Sequence, residues 1–87
     1  MGHVIVRMWE VRGYPPTFTE LLQWVCDVAV PAMRHEFGHV SSEVFASTDH
    51  RIVVISRWHG DPAPMAAPPG GLTARSAHAW DFTPVDL

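Results

Sequence analysis

The alternation of apolar and polar residues divides the chain into four strand-like runs and one helical stretch. Residues 3–11 are almost continuously apolar, which is typical of a strand covered on both faces. Residues 40–46 alternate and residues 51–58 form a second run rich in Val and Ile, so the turn residues 48–50 between them predict an antiparallel hairpin. Residues 76–82 predict a fourth strand.

Between the first two strands, apolar residues recur at spacings of three and four, which predicts the main helix. The apolar stripe consists of Phe18, Leu21, Leu22, Val25, Val28, Ala29, Ala32, Met33 and Phe37. Thr17 and Glu20 match a capping box at its start, in which the Thr17 hydroxyl accepts a hydrogen bond from the Glu20 amide. Pro31 removes a backbone donor, so we expect a kink at residues 29–31 and then a short second piece. Gly38 predicts the end of the helix.

Residues 60–73 contain four prolines and three glycines, a composition that cannot sustain a helix beyond about one turn. The order of elements is therefore strand, helix, strand, strand, a weak helical region and strand. This order predicts an α+β fold of the ferredoxin-like, split βαβ plan with a degenerate second helix. No linker or repeat interrupts it, and we expect residues 1–87 to form a single domain.

Composition adds an expectation about assembly. A chain of 87 residues buries only about 60 to 65 % of the surface that it exposes when unfolded. Its single cysteine, Cys26, cannot form an internal disulfide, and 47 % hydrophobic against 17 % charged residues is a surplus of apolar surface for a small monomer. We therefore expect a homodimer.

Charge and hydropathy exclude several partner classes. The net charge is -3 and no basic cluster is present, so we expect no nucleic-acid partner. No apolar run approaches about 18 residues, and the N-terminus has no basic, leader-like segment, so we expect no membrane association and a cytoplasmic location.

Four segments in order resemble the antibiotic-biosynthesis monooxygenase family. They are VIVRMWEV at the first strand, EFGHVSSEVFAS at the helix exit, RIVVISRW at the hairpin, and AWDFTPVD near the end. The resemblance implies a dimeric α/β barrel, in which two sheets pack face to face and each subunit holds a pocket between its sheet and helices. Members of this family include cofactor-free quinone-forming oxygenases and haem-degrading oxygenases.

Two family positions differ in this chain. Where those oxygenases have an Asn on the first strand close to the ligand, this sequence has Arg7. The haem-degrading branch takes its iron ligand from a His on the second long helix, and the Pro/Gly stretch 60–73 replaces that helix here. Trp58 matches the family's tryptophan at the end of the third strand. The resemblance implies a cofactor-independent monooxygenase that acts on an aromatic or polyketide-like molecule.

Strand alternation predicts which residues face the pocket: Arg7 and Trp9 share one face of their strand, as do Ser56 and Trp58 of theirs. A desolvated Arg7 needs an anion, either Glu43 or an enolate or carboxylate of the ligand. The alternative is a structural ion pair.

Aromatic side chains and one histidine complete the predicted site. Trp9, Trp58 and Trp80 are candidate flat walls for a planar substrate, or alternatively core and interface residues. His78 is in phase with Trp80 and is the candidate general base, or alternatively a core or interface histidine. Tyr14 either lines the pocket mouth or caps the barrel.

The string His35-Glu36-Phe37-Gly38-His39 reads as HExxH, which on an unbroken helix binds zinc. We expect no metal, because Gly38 predicts that the helix stops before His39. No phosphate-binding glycine loop or Rossmann fingerprint is present, so we expect no flavin, nicotinamide or nucleotide cofactor. The alternatives to the oxygenase are a non-catalytic dimeric small-molecule-binding domain, a cyclase and, least favoured, a zinc hydrolase.

Overall fold

A computed structural model describes residues 3–87. Four strands and two short helices follow one another along the chain. The strands are β1 (Val4–Gly13), β2 (His39–Ala46), β3 (Arg51–His59) and β4 (Thr73–Phe82). The helices are α1 (Phe18–Trp24) and α2 (Val30–Arg34), with a 3₁₀ turn at Pro15–Thr17 and a π-helical turn at Val25–Ala29. The predicted ferredoxin-like class is confirmed.

The strands form one antiparallel sheet in the order β2-β3-β1-β4. In the register of β1, Arg7 lies opposite Ser56 of β3 and opposite Asp81 of β4, and Trp9 lies opposite Val54 and Ala79. Because residues directly opposite one another point to the same side of a sheet, these side chains share one face. We call this the inner face, since the helices pack against it.

The core lies between the inner face and the helices. Its largest fully buried side chains are Trp58, Leu21, Ile52, Val11, Val25 and Val54. In β1 and β3 the buried positions alternate, so each strand has one face in the core of the single chain, whereas the apolar run of residues 3–11 predicts a strand covered on both faces. None of the helices in the described range has the length and apolar character needed to span a bilayer.

The helical segment departs from the predicted stripe at its middle. The backbone widens into a π-helical turn at Val25–Ala29, where the Val30 amide donates to the carbonyl of Val25, five residues back. Pro31 then lies in the first turn of α2, where its missing amide is tolerated. The irregularity therefore precedes the expected kink at residues 29–31.

The extra residue in the π-helical turn rotates the rest of the helix. Val30 turns into the core at 3 % exposure, while Val28, which the period-3.6 pattern assigns to the stripe, is 52 % exposed. Phe37 is 96 % exposed because α2 already ends at Arg34, so its predicted place as the last core residue is wrong.

The predicted capping box at Thr17 does not form. Thr17 makes no side-chain capping bond, and its Oγ1 is buried without a partner in residues 3–87. The reason is the 3₁₀ turn that precedes the helix. The Thr17 amide donates to the carbonyl of Tyr14, and φ -118°, ψ 11° at Thr17 is not the extended conformation of a capping residue.

Candidate functional site

A cavity of about 440 Å³ lies over the inner face of the sheet. Its floor consists of Arg7, Trp9 and Ser56 from the two central strands, and Met33 of α2 contributes a wall. The coil 63–68 covers it, and β4 contributes small side chains along the edge. The volume is within the range of about 300 to 1,000 Å³ that is typical of small-molecule sites.

The cover of the cavity is an uncharged coil. From Ala63 to Pro68 it contains only Ala, Pro and Met, and Met65 is partly buried against the core cluster. Prolines fix the backbone of this segment without requiring amide partners, so the coil can lie over apolar surface where an ordinary loop would leave amide groups unsatisfied. An apolar ligand in the cavity would therefore contact apolar atoms from above and the sheet from below.

Arg7 is the cation at the floor of the cavity. Its Nε donates to Asp81 Oδ1 at 2.7 Å and its Nη2 donates to Asp81 Oδ2 at 2.9 Å, which makes a bidentate pair between neighbouring strands. These bonds raise the pKa of Arg7 and hold the pKa of Asp81 below its ordinary value, although partial burial opposes both shifts. Arg7 is therefore charged and oriented before any ligand arrives.

The predicted alternative partner of Arg7, Glu43, lies elsewhere. In the β2-β3 register Glu43 is opposite Ile55, on the face of the sheet that points away from the helices, and its Oε1 accepts from Arg57 Nη1 at 3.4 Å. The pairing of Arg7 with Glu43 is thus wrong. Asp81, which sequence reasoning did not connect with Arg7, is the ion-pair partner.

Ser56 and Trp58 interact with each other. The indole Nε1 of Trp58 donates to the Ser56 Oγ at 2.8 Å, and both side chains are buried. Ser56 borders the cavity, whereas Trp58 is fully buried and packs edge-on against the His39 ring at a centroid distance of 5.1 Å. The Trp58 ring therefore supports the floor from the core side, and of the predicted aromatic walls it is Trp9 that borders the cavity.

His78 and Trp80 occupy the other face of the sheet, which we call the outer face. His78 lies opposite Glu10, and Trp80 lies opposite Met8. Glu10 and Met8 alternate with Arg7 and Trp9 along β1, so they point to the other side of the sheet. His78 belongs to the strand segment that edges the cavity, and its ring lies 6.0 Å from that of Trp80. The side chains of His78 and Trp80 are therefore close to each other, and the sheet separates them from the Arg7 side chain.

Tyr14 does not lie at the cavity floor. It is 45 % exposed in the extended residue that leads from β1 into the 3₁₀ turn.

The HExxH string has no helical geometry. The helix ends at Arg34, the chain turns, and His39 opens β2, where its Nε2 shares a hydrogen bond of 2.7 Å with Ser42 Oγ. His35 and His39 are therefore not one turn apart on a helix, as the zinc motif requires. In the part of the chain that the structure describes, no group of three or more His, Cys, Asp or Glu side chains is arranged to hold a metal.

Sequence reasoning missed the cover of the cavity and one of its walls. The apolar pattern assigns Met33 to the core only, and the composition of residues 60–73 predicts only a break in secondary structure. A signal was present: a loop of this length without a charged residue between Asp61 and Arg75 is unusual for solvent-exposed backbone, and it indicates a loop that covers something.

Comparisons with known proteins agree on the fold. No family model matches the chain, and no curated protein matches it. Among solved structures, Rv0793 from Mycobacterium tuberculosis superposes with a TM-score of 0.69 at 18 % identity, over 97 % of both chains. A monooxygenase from Streptomyces coelicolor, the product of ActVA-Orf6 in complex with nanaomycin D, superposes with a TM-score of 0.64 at 20 % identity, over 99 % of this chain and 89 % of that one. The predicted family resemblance is confirmed as a likeness of fold.

Proposed function

We propose that this chain is a cofactor-independent monooxygenase, a tailoring enzyme that acts on a hydrophobic aromatic or polyketide-like molecule in the inner-face cavity. One observation carries the proposal: the cavity joins a fixed cation, Arg7, to the indole of Trp9 beneath an uncharged Ala, Pro and Met cover. A planar, largely apolar molecule with oxygen at one end matches that lining. The fold shared with the Streptomyces monooxygenase supports this choice of chemistry.

The reaction in this proposal needs only substrate and dioxygen. Arg7 stabilises the phenolate or enolate form of the substrate by hydrogen bonds to its oxygen. The electron-rich ring then reduces O₂. In a hydroxyanthrone the ring CH₂ becomes C=O, one oxygen atom entering the product and the other leaving with the two hydrogens as water, so the substrate supplies all four electrons.

Two groups can accept the proton that the substrate releases. His78 as general base stays a prediction, and its side chain lies on the outer face beside Trp80. The alternative in this proposal is that Arg7 alone lowers the pKa of the bound phenol, so that water takes the proton. The two routes differ in their response to loss of His78.

The proposed enzyme is a homodimer whose two outer sheet faces cover one another. The large side chains of that face are half exposed in the single chain: Phe45 is 50 %, Trp80 is 44 % and Phe82 is 52 % exposed. In the proposed dimer the same apolar face of a second copy packs against this one. Burial of the three aromatic side chains stabilises the dimer.

Oxygen consumption tests the activity. Wild-type protein with a hydroxyanthrone under air is expected to take up oxygen above the protein-free rate. Arg7→Ala is expected to lower the rate by about 100-fold, the usual effect of removing a group that stabilises an oxyanion. Arg34→Ala, an exposed arginine at the end of α2, is the matched control and is expected to keep the wild-type rate.

His78→Ala in the same assay separates the two proton routes. A rate that falls with His78→Ala supports His78 as acceptor, and an unchanged rate supports proton release to water. Equal rates for wild type and Arg7→Ala would contradict the role of Arg7, and no uptake above background would contradict the oxygenase.

A non-catalytic binding domain is the second candidate, favoured by the fact that Arg7 is already paired with Asp81 and that, within residues 3–87, no histidine side chain is hydrogen-bonded to it. Saturable quenching of tryptophan fluorescence by the hydroxyanthrone, without oxygen uptake, is the result expected from that function.

A further inference from the structure

The Arg7 guanidinium has one edge occupied and one edge free. The edge formed by Nε and Nη2 donates to the Asp81 carboxylate of β4, and Nη1 takes no part in that pair. A guanidinium carries five N–H donors in a rigid fork, so the end formed by Nη1 and the second hydrogen of Nη2 can still bind two oxygen atoms of another group.

Of the two partners, only Arg7 borders the cavity. The Arg7 side chain is 25 % exposed and that of Asp81 is 41 % exposed, and Asp81 is not among the residues that line the 440 Å³ space. A ligand in the cavity can therefore contact Arg7, whose remaining N–H groups are not used by Asp81.

The charge of Arg7 is already balanced. A bidentate carboxylate cancels most of the field of a guanidinium at short range, so a second full negative charge gains less from the pair than from a lone arginine, and it is also repelled by Asp81. Two oxygens that are neutral, or that carry only part of a charge delocalised over the ring as in the phenolate of the proposed reaction, keep the hydrogen bonds with less of that repulsion. The cover of Ala, Pro and Met adds no further cation to the cavity.

We infer that Asp81 is a specificity-determining residue, which makes the Arg7 fork select a neutral hydroxy-ketone edge, with adjacent carbonyl and hydroxyl oxygens, over a carboxylate. This inference rests on the proposed function for the location of the ligand, and it adds the ligand group that the cavity recognises. Asp81 acts through Arg7, and so it is a positioning residue rather than a catalytic one.

A matched pair of ligands tests the inference. 1-Hydroxy-2-acetonaphthone and 1-hydroxy-2-naphthoate have nearly the same shape, and at pH 7.5 only the naphthoate carries a full charge. Their dissociation constants are measured by tryptophan fluorescence and calorimetry for wild type, Asp81→Asn and Glu43→Gln. Glu43 is the control because it forms an Arg–carboxylate pair on the opposite face of the same sheet.

Wild type is expected to bind the neutral ketone more tightly than the naphthoate. Asp81→Asn is expected to shift the ratio of the two constants towards the naphthoate by about fivefold, since a partly exposed charge pair is worth about 1 kcal/mol. Glu43→Gln is expected to leave the ratio as in wild type. Arg7→Lys keeps the charge but not the fork. It is expected to weaken binding of the ketone and not to retain the wild-type preference for the ketone over the naphthoate.

Three results would overturn the inference: a ratio in Asp81→Asn equal to that of wild type, an equal shift in Glu43→Gln, or no binding of either ligand. Oxygen uptake with a hydroxyanthrone, measured on the same wild-type sample, distinguishes these failures from failure of the proposed function. If wild type consumes oxygen but Asp81→Asn leaves the ratio unchanged, only the role of Asp81 is contradicted. If the protein binds the ligands with the expected ratios but consumes no oxygen, only the monooxygenase activity is contradicted.

Discussion

His39 lies against the aromatic core. Its ring packs edge-on against the fully buried Trp58, its Nε2 meets Ser42 Oγ at 2.7 Å, and the chain pairs it directly opposite Trp58 in the sheet. Loss of solvation, and then the nearby positive charge of Arg34, lower the pKa of His39 below its ordinary value of 6.5. The neutral ring is therefore the form that the folded protein stabilises.

The sign of the pH effect follows from that lowered pKa. Well above pH 6.5 His39 is neutral in both the folded and the unfolded chain, and its contribution to stability is complete. As the pH falls, the unfolded chain binds the proton first, so the free energy of unfolding decreases until the pH is below the lowered folded-state pKa. We expect urea unfolding to show lower stability at pH 5.5 than at pH 7.5.

Replacing the side chain isolates this effect. His39→Asn keeps a polar group near Ser42 but does not titrate, and it is expected to flatten the dependence between the two pH values. His59→Asn, at an exposed position on β3, is expected to retain the wild-type dependence. The same pH slope in wild type and His39→Asn is the outcome that would exclude His39 as its source.

At the same scale, the sequence predicted the faces of single strands better than the partners across them. The alternation in β1 correctly predicted that Arg7 and Trp9 share a face of their strand, and that in β3 correctly predicted the same of Ser56 and Trp58. The Arg7–Asp81 pair was not predictable, because it depends on the register between β1 and β4, two strands that are distant in sequence. That register shifts twice, between Glu10 and Arg12 and again between Arg12 and Gly13.

Among the elements, the turn at Gly38 determines how the helix is joined to the sheet. Gly38 has φ +88°, and its carbonyl accepts from the His59 amide at 2.7 Å. A Cβ at this position would lie 2.5 Å from the carbonyl oxygen of His59. Both the left-handed backbone and the close approach of β3 therefore require glycine here.

Gly38→Ala is expected to be strongly destabilising, and Gly60→Ala is its matched control. Gly60 also has positive φ, at +87°, but no atom lies within 4 Å of a Cβ built there. Both substitutions incur the left-handed strain of about 1 to 2 kcal/mol. Only Gly38→Ala adds the collision with backbone, which costs about 1 to 3 kcal/mol more.

Chemical denaturation of the two variants measures the difference. We expect Gly38→Ala to lose the larger part of the folding free energy and Gly60→Ala to unfold at a midpoint much closer to wild type. Equal losses in the two variants would show that the contact with His59 does not matter.

The elements themselves were largely predictable from pattern, except where two local signals competed. The hairpin of β2 and β3 follows from β-branched runs and turn residues, whereas the helix ends at Arg34, before the position that Gly38 predicts. The helix interior does not follow from the pattern, because period 3.6 cannot represent a turn with an additional residue, and Val28 and Val30 exchange environments as a result. Thr17 likewise matches a capping box by residue type, yet the two prolines before it set a different backbone.

For the whole molecule, the uneven cover of the sheet is the main feature. The inner face is closed by the helices, whereas the outer face leaves Phe45, Trp80 and Phe82 about half exposed. The same face carries two ion pairs, Arg57 with Glu43 and Arg51 with Glu10. Exposed aromatic side chains together with charged ones are the composition of an interface between subunits.

Phe82→Glu is expected to convert the proposed dimer into a monomer, because a carboxylate at this position would be desolvated without a partner when a second copy covers the outer face. Val28→Glu is the matched control: Val28 and Phe82 are both 52 % exposed, but Val28 lies on the helix side of the molecule. Sedimentation velocity at micromolar concentration is expected to show dimer for wild type and Val28→Glu and monomer for Phe82→Glu. A monomeric wild type would contradict the dimer.

The coil over the cavity also bears on how such a chamber can change over evolutionary time. Residues 63–68 belong to neither a ladder nor a helix, so an insertion or deletion among them would leave every strand pairing intact while altering the height of the chamber. Proteins that share this fold can therefore evolve to bind larger or smaller molecules through changes in this segment alone, while the sheet and helices keep their structure.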